Sequence, residues 1–456
     1  MDELITLAEQ ISVLFAEKNY TEIRRILAQE HPADCALLLQ ELPEEQASMV
    51  FRLLPKELGA EVFVNLESDD QEFLLKKLSD TELRAMMDEL FLDDAADMID
   101  EMPANVVSRI LAQTDPETRK ALNTLLNYPE DSAGSVMTTE YVRLGQEMTV
   151  TQAFDRIRAT GVDKETIYTC YVTTPERHLV GVLSVRDLLL ADPEAKMKDI
   201  MNVHVIFAET TEDKEDVAHA MSHYDLIAIP VVDKEHRLVG IVTYDDAIDV
   251  LEEEATEDIE KMAAITPSEK PYLKIGVWGT WKQRIPWLLL LMVSATFTGG
   301  IISSFEKSLA VIPALIAFIP MLMDTGGNSG GQSSVTVIRG MAVGEIEMRD
   351  MLKVLWKEVR VAALCGLTLA CVNFVKILLV DNLLLGSEIS MTVAAVVCLT
   401  LAITVVIAKA VGCTLPMAAK KLGFDPAVMA SPFITTIVDA LALLIYFRIA
   451  VTLLPL

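Results

Sequence analysis

Apolar residues are distributed along this chain in two different ways. Beyond residue 280 they form long, nearly unbroken runs. Before it they recur at the spacing of amphipathic helices and short strands. Five runs, near 285–305, 309–338, 354–380, 389–418 and 426–454, are long enough to cross a bilayer, which takes about 20 helical residues. Over 1–130, helix-start signals recur every 10–14 residues: Pro43-Glu-Glu, Pro55-Lys-Glu, Ser68-Asp-Asp, Ser79-Asp-Thr, Asp93-Asp, Pro103-Ala-Asn and Asp115-Pro-Glu. Pro, Ser or Asp at a helix start, with carboxylates in the first turn, satisfies free N–H groups and the helix dipole. An all-α superhelical stack of short helices is expected there. Asp34-Cys-Ala-Leu-Leu-Leu-Gln-Glu-Leu-Pro43 and Asp94-Ala-Ala-Asp-Met-Ile-Asp-Glu-Met-Pro103 are alike, which supports repetition.

Residues 135–252 contain a second repeat. Ser135-Val-Met-Thr138 recurs as Asp199-Ile-Met-Asn202, and the helical run 149–158 recurs at 213–222. Leu179-Val-Gly-Val-Leu-Ser-Val-Arg-Asp187 recurs as Leu238-Val-Gly-Ile-Val-Thr-Tyr-Asp-Asp246. Strands at 168–173 and 227–232 alternate with helices, so a small α/β module occurs twice. The Gly-h-h-Ser/Thr-x-x-Asp motif (Gly181, Ser184, Asp187; Gly240, Thr243, Asp246) resembles that of tandem cystathionine-β-synthase (CBS) domains. The resemblance implies an adenine nucleotide at Ser184, Asp187, Thr243 and Asp246, or an empty regulatory pair.

Charge separates the same two regions. The 456 residues carry a net charge of −29, yet 52% are apolar and the mean hydropathy is +0.35. Residues 271–456 hold 14 basic and 10 acidic residues, leaving 24 and 57 for 1–270; the net charges are +4 and −33. The acidic half repels phosphate, which argues against nucleic acid or anionic lipid as its partner. Six dispersed cysteines and six dispersed histidines suggest neither a disulfide framework nor a zinc site, and no nucleophile–base pair points to an enzyme. Asp2 and Glu3 after Met1 read against a cleaved leader. Lys274, Lys282 and Arg284 precede the first span; Arg339, Arg349, Lys353, Lys357 and Arg360 surround the second-to-third connection; Lys420 and Lys421 precede the fifth. Lys307, Asp381 and Glu388 mark the other side. This bias predicts a cytoplasmic N-terminal half and an external C-terminus.

Ionisable groups inside spans are costly and mark pathways or pairs. Asp439 lies 14 residues beyond Asp425, so one helix would place Asp425, Val428, Pro432, Thr435/Thr436 and Asp439 on a single stripe roughly 21 Å long. Carboxylate, carbonyl and hydroxyl oxygens suit a hard cation. The other reading is an Asp439 paired with Lys409 or Arg448. In the second span, Asp324-Thr-Gly-Gly-Asn-Ser-Gly-Gly-Gln-Ser-Ser334 has two G-x-x-x-G spacings and is too polar to face lipid. It reads as a tightly packed helix, either beside a polar pore or simply crowded. Before the membrane, Asp246, Asp249, Glu253 and Glu257 form an anionic stripe that is either solvated or bridged by divalent cations.

Taken together the chain resembles the MgtE family of magnesium channels. The strings are Tyr128-Pro-Glu-Asp-Ser-Ala-Gly134-Ser-Val-Met137, Met323-Asp-Thr-Gly-Gly-Asn-Ser-Gly-Gly-Gln-Ser-Ser334 and Phe424-Asp-Pro … Thr435-Thr-Ile-Val-Asp439. The resemblance implies a multidomain membrane protein: a helical N-domain (1–130), tandem CBS domains (131–252), an acidic connecting helix (253–270) and five transmembrane helices (271–456). It implies a homodimer in the cytoplasmic (inner) membrane that takes up Mg2+ and is closed by Mg2+. By position, Asp439 and the Thr435 carbonyl match the pore site, and Asp425 matches a carboxylate joined through Mg2+ to the connecting helix. Glu254, Glu257 and Asp258 match regulatory ligands, as do Glu215, Asp225, Asp246 and Asp249 in the CBS region. Asp94 matches the N-domain partner of Asp246, with Asp93 and Asp97 equally open. A proton- or sodium-coupled carrier with Asp439 as relay, and a nucleotide-sensing receptor without transport, are the competing classes.

Overall fold

The computed structural model describes residues 2–268, 272–429 and 431–454. The end of the expected connecting segment (269–270) and Pro271 lie outside them. The chain divides into two compact units, Met1–Leu251 and Glu252–Leu456.

The first unit opens with ten helices, α1 (Asp2–Ala16) to α10 (Pro116–Leu125). They begin at the expected signals: Pro43, Pro55 and Pro103 stand at N-caps, and Asp115 accepts from the Glu117 and Thr118 N–H groups. Ser79 and Glu82 cap α7 (Asp80–Met87) reciprocally. α1 packs on α3 (Pro32–Glu41), α3 on α5 (Lys56–Val64), α5 on α7 and α7 on α9 (Ala104–Gln113), a superhelical stack whose core includes Ile23, Leu38, Val62, Leu83 and Ile110.

Two α/β modules follow. The first contains β1 (Tyr141–Gly145), α11 (Val150–Thr160), β2 (Thr166–Thr173), β3 (Leu179–Ser184) and α12 (Val185–Leu190); the short α13 (Met197–Ile200) leads into the second. The second contains β4 (Ala208–Glu209), α14 (Lys214–His223), β5 (Ala228–Val232), β6 (Leu238–Thr243) and α15 (Tyr244–Met262). In each, a parallel strand pair is followed by an antiparallel pair. The repeated Met motifs cross between modules: Thr138 bridges to Ile241 and Asn202 to Val182. Gly181 and Gly240 leave room for Met201 and Met137 of these crossing arms, where a Cβ would collide. The core of the second module is continuous with that of the N-domain through Met137, Val217, Met221, Ala247 and Val250.

α15 continues without a break from the module into the connecting segment, so the expected boundary at 252/253 falls inside one helix. The second unit then has α16 (Val277–Ser304), α17 (Glu306–Val311), α18 (Ile319–Ala342), α19 (Met351–Lys376), α20 (Met391–Lys421) and α21 (Ser431–Leu453). Among the described residues, four helical stretches are long and apolar enough to cross a membrane: Val277–Ser304, Met348–Leu384, Met391–Lys421 and Ala427–Leu453. The expected second apolar span is corrected. Pro313 ends α17, Pro313–Phe318 is 3-10 helical, and α18 has the length to cross but not the apolarity. α18 is the centre of this unit, packed on α20 and α21, because its glycines admit both. A Cβ on Gly327 would stand 2.8 Å from Thr435 Cγ2, one on Gly330 2.8 Å from Ile434 Cγ2, and one on Gly412 would strike the Gly330 carbonyl.

Candidate ion path and cation-sensing carboxylates

Asp439 lies on α21, and its Oδ1 is buried without a hydrogen-bond partner. Neither base considered for it pairs with it. Lys409 is turned to Ser333 (3.2 Å) and Glu358 (3.7 Å), and no salt bridge joins Asp439 to Arg448 among the described residues. The pairing reading is therefore set aside. The charge that reaches Asp439 is that of Asp324 on α18, which the sequence reading passed over as part of a packing motif. Asp324 is exposed and accepts from Asn328 Nδ2 at 3.1 Å; Asn328 and Gln332 continue its exposed face. The four-residue spacing of 324, 328 and 332 was the available signal.

The stripe from Asp425 to Asp439 is also corrected. Asp425 precedes a 3-10 turn (Ala427–Met429) and accepts from the Ala427 N–H at 2.7 Å; α21 begins only at Ser431. Pro426 and Pro432 favour helix starts, so the segment becomes two short starts rather than four turns. Val428 is thus off the stripe, while Pro432, Thr436 and Asp439 remain on it, with the Thr436 hydroxyl donating to the Pro432 carbonyl at 3.1 Å. Thr435 packs on Gly327.

On α15, the cation expected between Asp425 and the connecting helix is matched by an ammonium. Lys261 Nζ lies 2.7 Å from Asp425 and 2.6 Å from Glu257. Burial opposes its charge, but the two carboxylates together hold its pKa above the ordinary value. Met262 packs beside this bridge with Ile338 and Ala427. Glu254 and Asp258 are half-buried on the same helix, and Asp249 is exposed. Glu215, in the first turn of α14, lies 3.5 Å from His219, and Asp225 is exposed in a left-handed turn (φ 53°).

The densest carboxylate gathering is inside the first unit. Asp246 and Asp94 are electrostatic neighbours, and Asp93, Asp97, Asp245, Glu140 and Glu165 join them. α8 (Leu92–Asp100) presents Asp93, Asp94 and Asp97, and Asp245 and Asp246 open α15. Asp93 is 5% exposed and its Oδ1 has no partner; Glu165 Oε2 has none either. Burial, then the Asp94 charge, pushes Asp93 up to about 7. Burial and Asp246 raise Asp94 to about 6, and burial and Asp93 raise Asp246 to about 7. Glu165 is raised to about 9 by burial and the same aspartates. Asp97 is partly removed from solvent and raised by that and by Asp246. Every charge loading these groups is another carboxylate. Among the described residues no three His, Cys, Asp or Glu side chains are close enough to hold a bare ion, so this is a field seeking a cation rather than a finished cage.

The nucleotide-motif residues act locally as caps. The Ser184 hydroxyl donates to Asp187 at 2.7 Å, and Thr243 to Asp246 at 2.6 Å, at the starts of α12 and α15.

A family profile described as a divalent cation transporter matches residues 319–449, one described as the MgtE intracellular N domain matches 30–131, and the CBS profile matches 133–194 and 197–253. The magnesium transporter MgtE of Thermus thermophilus is 39% identical over 97% of this chain and 98% of its own. That of Bacillus subtilis is 36% identical over 98% and 97%. A crystal structure of the cytosolic domain of the Mg2+ channel MgtE in complex with ATP is 41% identical, covers 53% of this chain and 99% of its own, and has a TM-score of 0.51. The soluble part of a magnesium transporter is 31% identical over 56% and 99%, with a TM-score of 0.52.

Proposed function

The chain belongs to the MgtE family of magnesium transporters, and from that premise we propose that it is a Mg2+-selective channel of the cytoplasmic membrane, closed by Mg2+ bound to its cytoplasmic carboxylates. The carrying observation is Asp439: a partnerless carboxylate oxygen on a helix packed against the glycine face of α18. An unpaired carboxylate within a membrane-crossing helix faces water or an ion. Mg2+ gives up its waters reluctantly, so a carboxylate and a few neutral oxygens suit a hydrated ion. The exposed Asp324, Asn328 and Gln332 are too polar for lipid, which supports a homodimer whose second copy and water cover that face. One Asp439 from each copy then matches the charge of one divalent ion. Asp324 adds a second carboxylate to that path.

Gating rests on the Asp93–Asp246 field. Without a cation the N-domain and CBS carboxylates oppose their own proximity. Bound Mg2+ relieves this, and ligand that favours the compact arrangement shifts the population towards it. Glu254, Glu257, Asp258 and Asp425 extend the same logic to the connecting helix, where Lys261 already supplies one positive charge. An adenine nucleotide at the CBS pair belongs to the same reading, with the exposed Asp187 beside Ser184 as its motif carboxylate.

Magnesium uptake into proteoliposomes tests the pore. Asp439→Ala is expected to lower flux by at least about tenfold with insertion intact; undiminished flux removes the assignment. Parental flux that follows the Mg2+ gradient with no proton or sodium gradient rejects the coupled carrier, in which Asp439 would be a relay. Neutralising Glu254, Glu257 and Asp258 together should keep the pore conducting at Mg2+ levels that close the parent. Unchanged closure leaves that stripe merely solvated.

A further inference from the structure

Lys409, Glu358 and Ser333 come from three helices and meet away from Asp439. Ser333 on α18 is 1% exposed, Lys409 on α20 is 6% exposed, and the Glu358 side chain on α19 is 14% exposed. The Ser333 hydroxyl donates to Glu358 Oε2 at 2.5 Å and accepts from Lys409 Nζ at 3.2 Å, while the two charges stand 3.7 Å apart. The serine is thus satisfied as donor and acceptor at once, and its position between opposite charges admits one orientation.

A buried ion pair is a poor source of stability, because desolvation opposes the attraction. Its retention inside a membrane unit calls for another use. The neighbouring packing indicates which. α18 meets α20 and α21 through Gly326, Gly327 and Gly330, with Gly412 on α20. Glycines permit close approach, but a face without side chains has no knobs to stop one helix from turning against another. Ser333 lies on this buried side, next in sequence to Gln332 on the exposed side. A helix turn of about 100° per residue means that any rotation that moves Ser333 moves Asp324, Asn328 and Gln332 equally.

We propose that the Glu358–Ser333–Lys409 network is a positioning device: it fixes the rotation of α18 and so aims Asp324, Asn328 and Gln332 at the ion path. Glu358, Ser333 and Lys409 are positioning residues that do not touch the ion. The proposal rests on the transport reading above.

The test uses the full chain in proteoliposomes, with Mg2+ uptake measured against Mg2+ concentration and the melting temperature measured in parallel. Ser333→Ala keeps both charges and removes only the link to α18. It is expected to shift the half-saturating Mg2+ concentration by about tenfold at an essentially parental melting temperature. Glu358→Gln leaves Lys409 uncompensated and should lower both flux and melting temperature. Glu358→Gln with Lys409→Met removes the uncompensated charge. It should recover the melting temperature while the half-saturation remains displaced. Parental half-saturation in Ser333→Ala or in the double variant reduces the network to a structural pair and overturns the proposal; if the double variant does not fold, Ser333→Ala alone decides. A parent that moves no Mg2+ instead overturns the transport reading, so the two failures are distinguishable.

Discussion

Asp187 and Asp246 occupy the same position in the two halves of one repeat, and they behave in opposite ways. Each accepts from the Ser or Thr three residues earlier, and each opens a helix. Asp187 is exposed, and the Ser184 hydrogen bonds hold its carboxyl below the usual range. Asp246 has the same hydrogen bond, but burial and Asp93 push it up to about 7. The motif therefore decides the cap, and the neighbours decide the charge. The N-domain core is continuous with the second module, which brings α8 against Asp246; the first module has its own core around Val142, Cys170 and Leu183.

That contrast can be broken by supplying a divalent cation. Adding Mg2+ to EDTA-treated full-length protein should raise its stability by about 2.7 kcal/mol at 100 times the dissociation constant. Thermal melting reads this, and the gain should shrink when Asp93 and Asp246 are both Asn. A gain unaltered by those substitutions would place the responsive ions elsewhere.

A somewhat smaller effect concerns the charges themselves. In the Mg2+-free protein at pH 7.5, Asp246→Asn should stabilise by on the order of 1–2 kcal/mol, since it removes a charge that the fold disfavours and keeps an acceptor for Thr243. The pH dependence has the matching sign. Asp93, Asp94 and Asp246 have folded values of about 7, 6 and 7, above their unfolded 3.8, so the folded state binds more protons in between. Stability without Mg2+ should therefore fall as pH rises from about 4 to about 7, with further contributions from Asp97 near 8 and Glu165 near 9, and level off above those values. A melting temperature flat across pH 5–8 would contradict the cluster. Asp187→Asn should leave the profile unchanged.

Asp187→Ala gives the next step down. It removes the reciprocal cap of α12, and the expected loss is about 0.5–1 kcal/mol, independent of Mg2+. The smallest effect belongs to Lys261, a carboxylate bridge that already contains its own cation. Lys261→Met should cost about 0.5 kcal/mol or less, because the bridge is partly exposed and screened. On the proposed gating, its sharper readout is pore closure, which should then require more Mg2+.

Much of the architecture was legible because it is local. Helix starts at Pro43, Ser79 and Asp115 depend on a few adjacent residues, and the two α/β modules are spelled twice. Asp439 stood out for the same reason, as one charge in an apolar run. The extended stripe from Asp425 was misread because two prolines favour two starts where a period count sees one helix. The glycines of α18 pack as their spacing suggested, yet the exposed line through Asp324 was masked by that very motif.

By itself, then, the sequence determined the elements, their repeats, the apolar runs and the separation of charge into −33 and +4. All of these follow from short-range capping, periodicity and composition. Which charges become neighbours is set by how the elements pack. Asp93 meets Asp246 across some 150 positions of chain, Lys409 finds Glu358 instead of Asp439, and Lys261 reaches Asp425. Coulomb forces depend on distance and on burial, and a linear sequence contains neither.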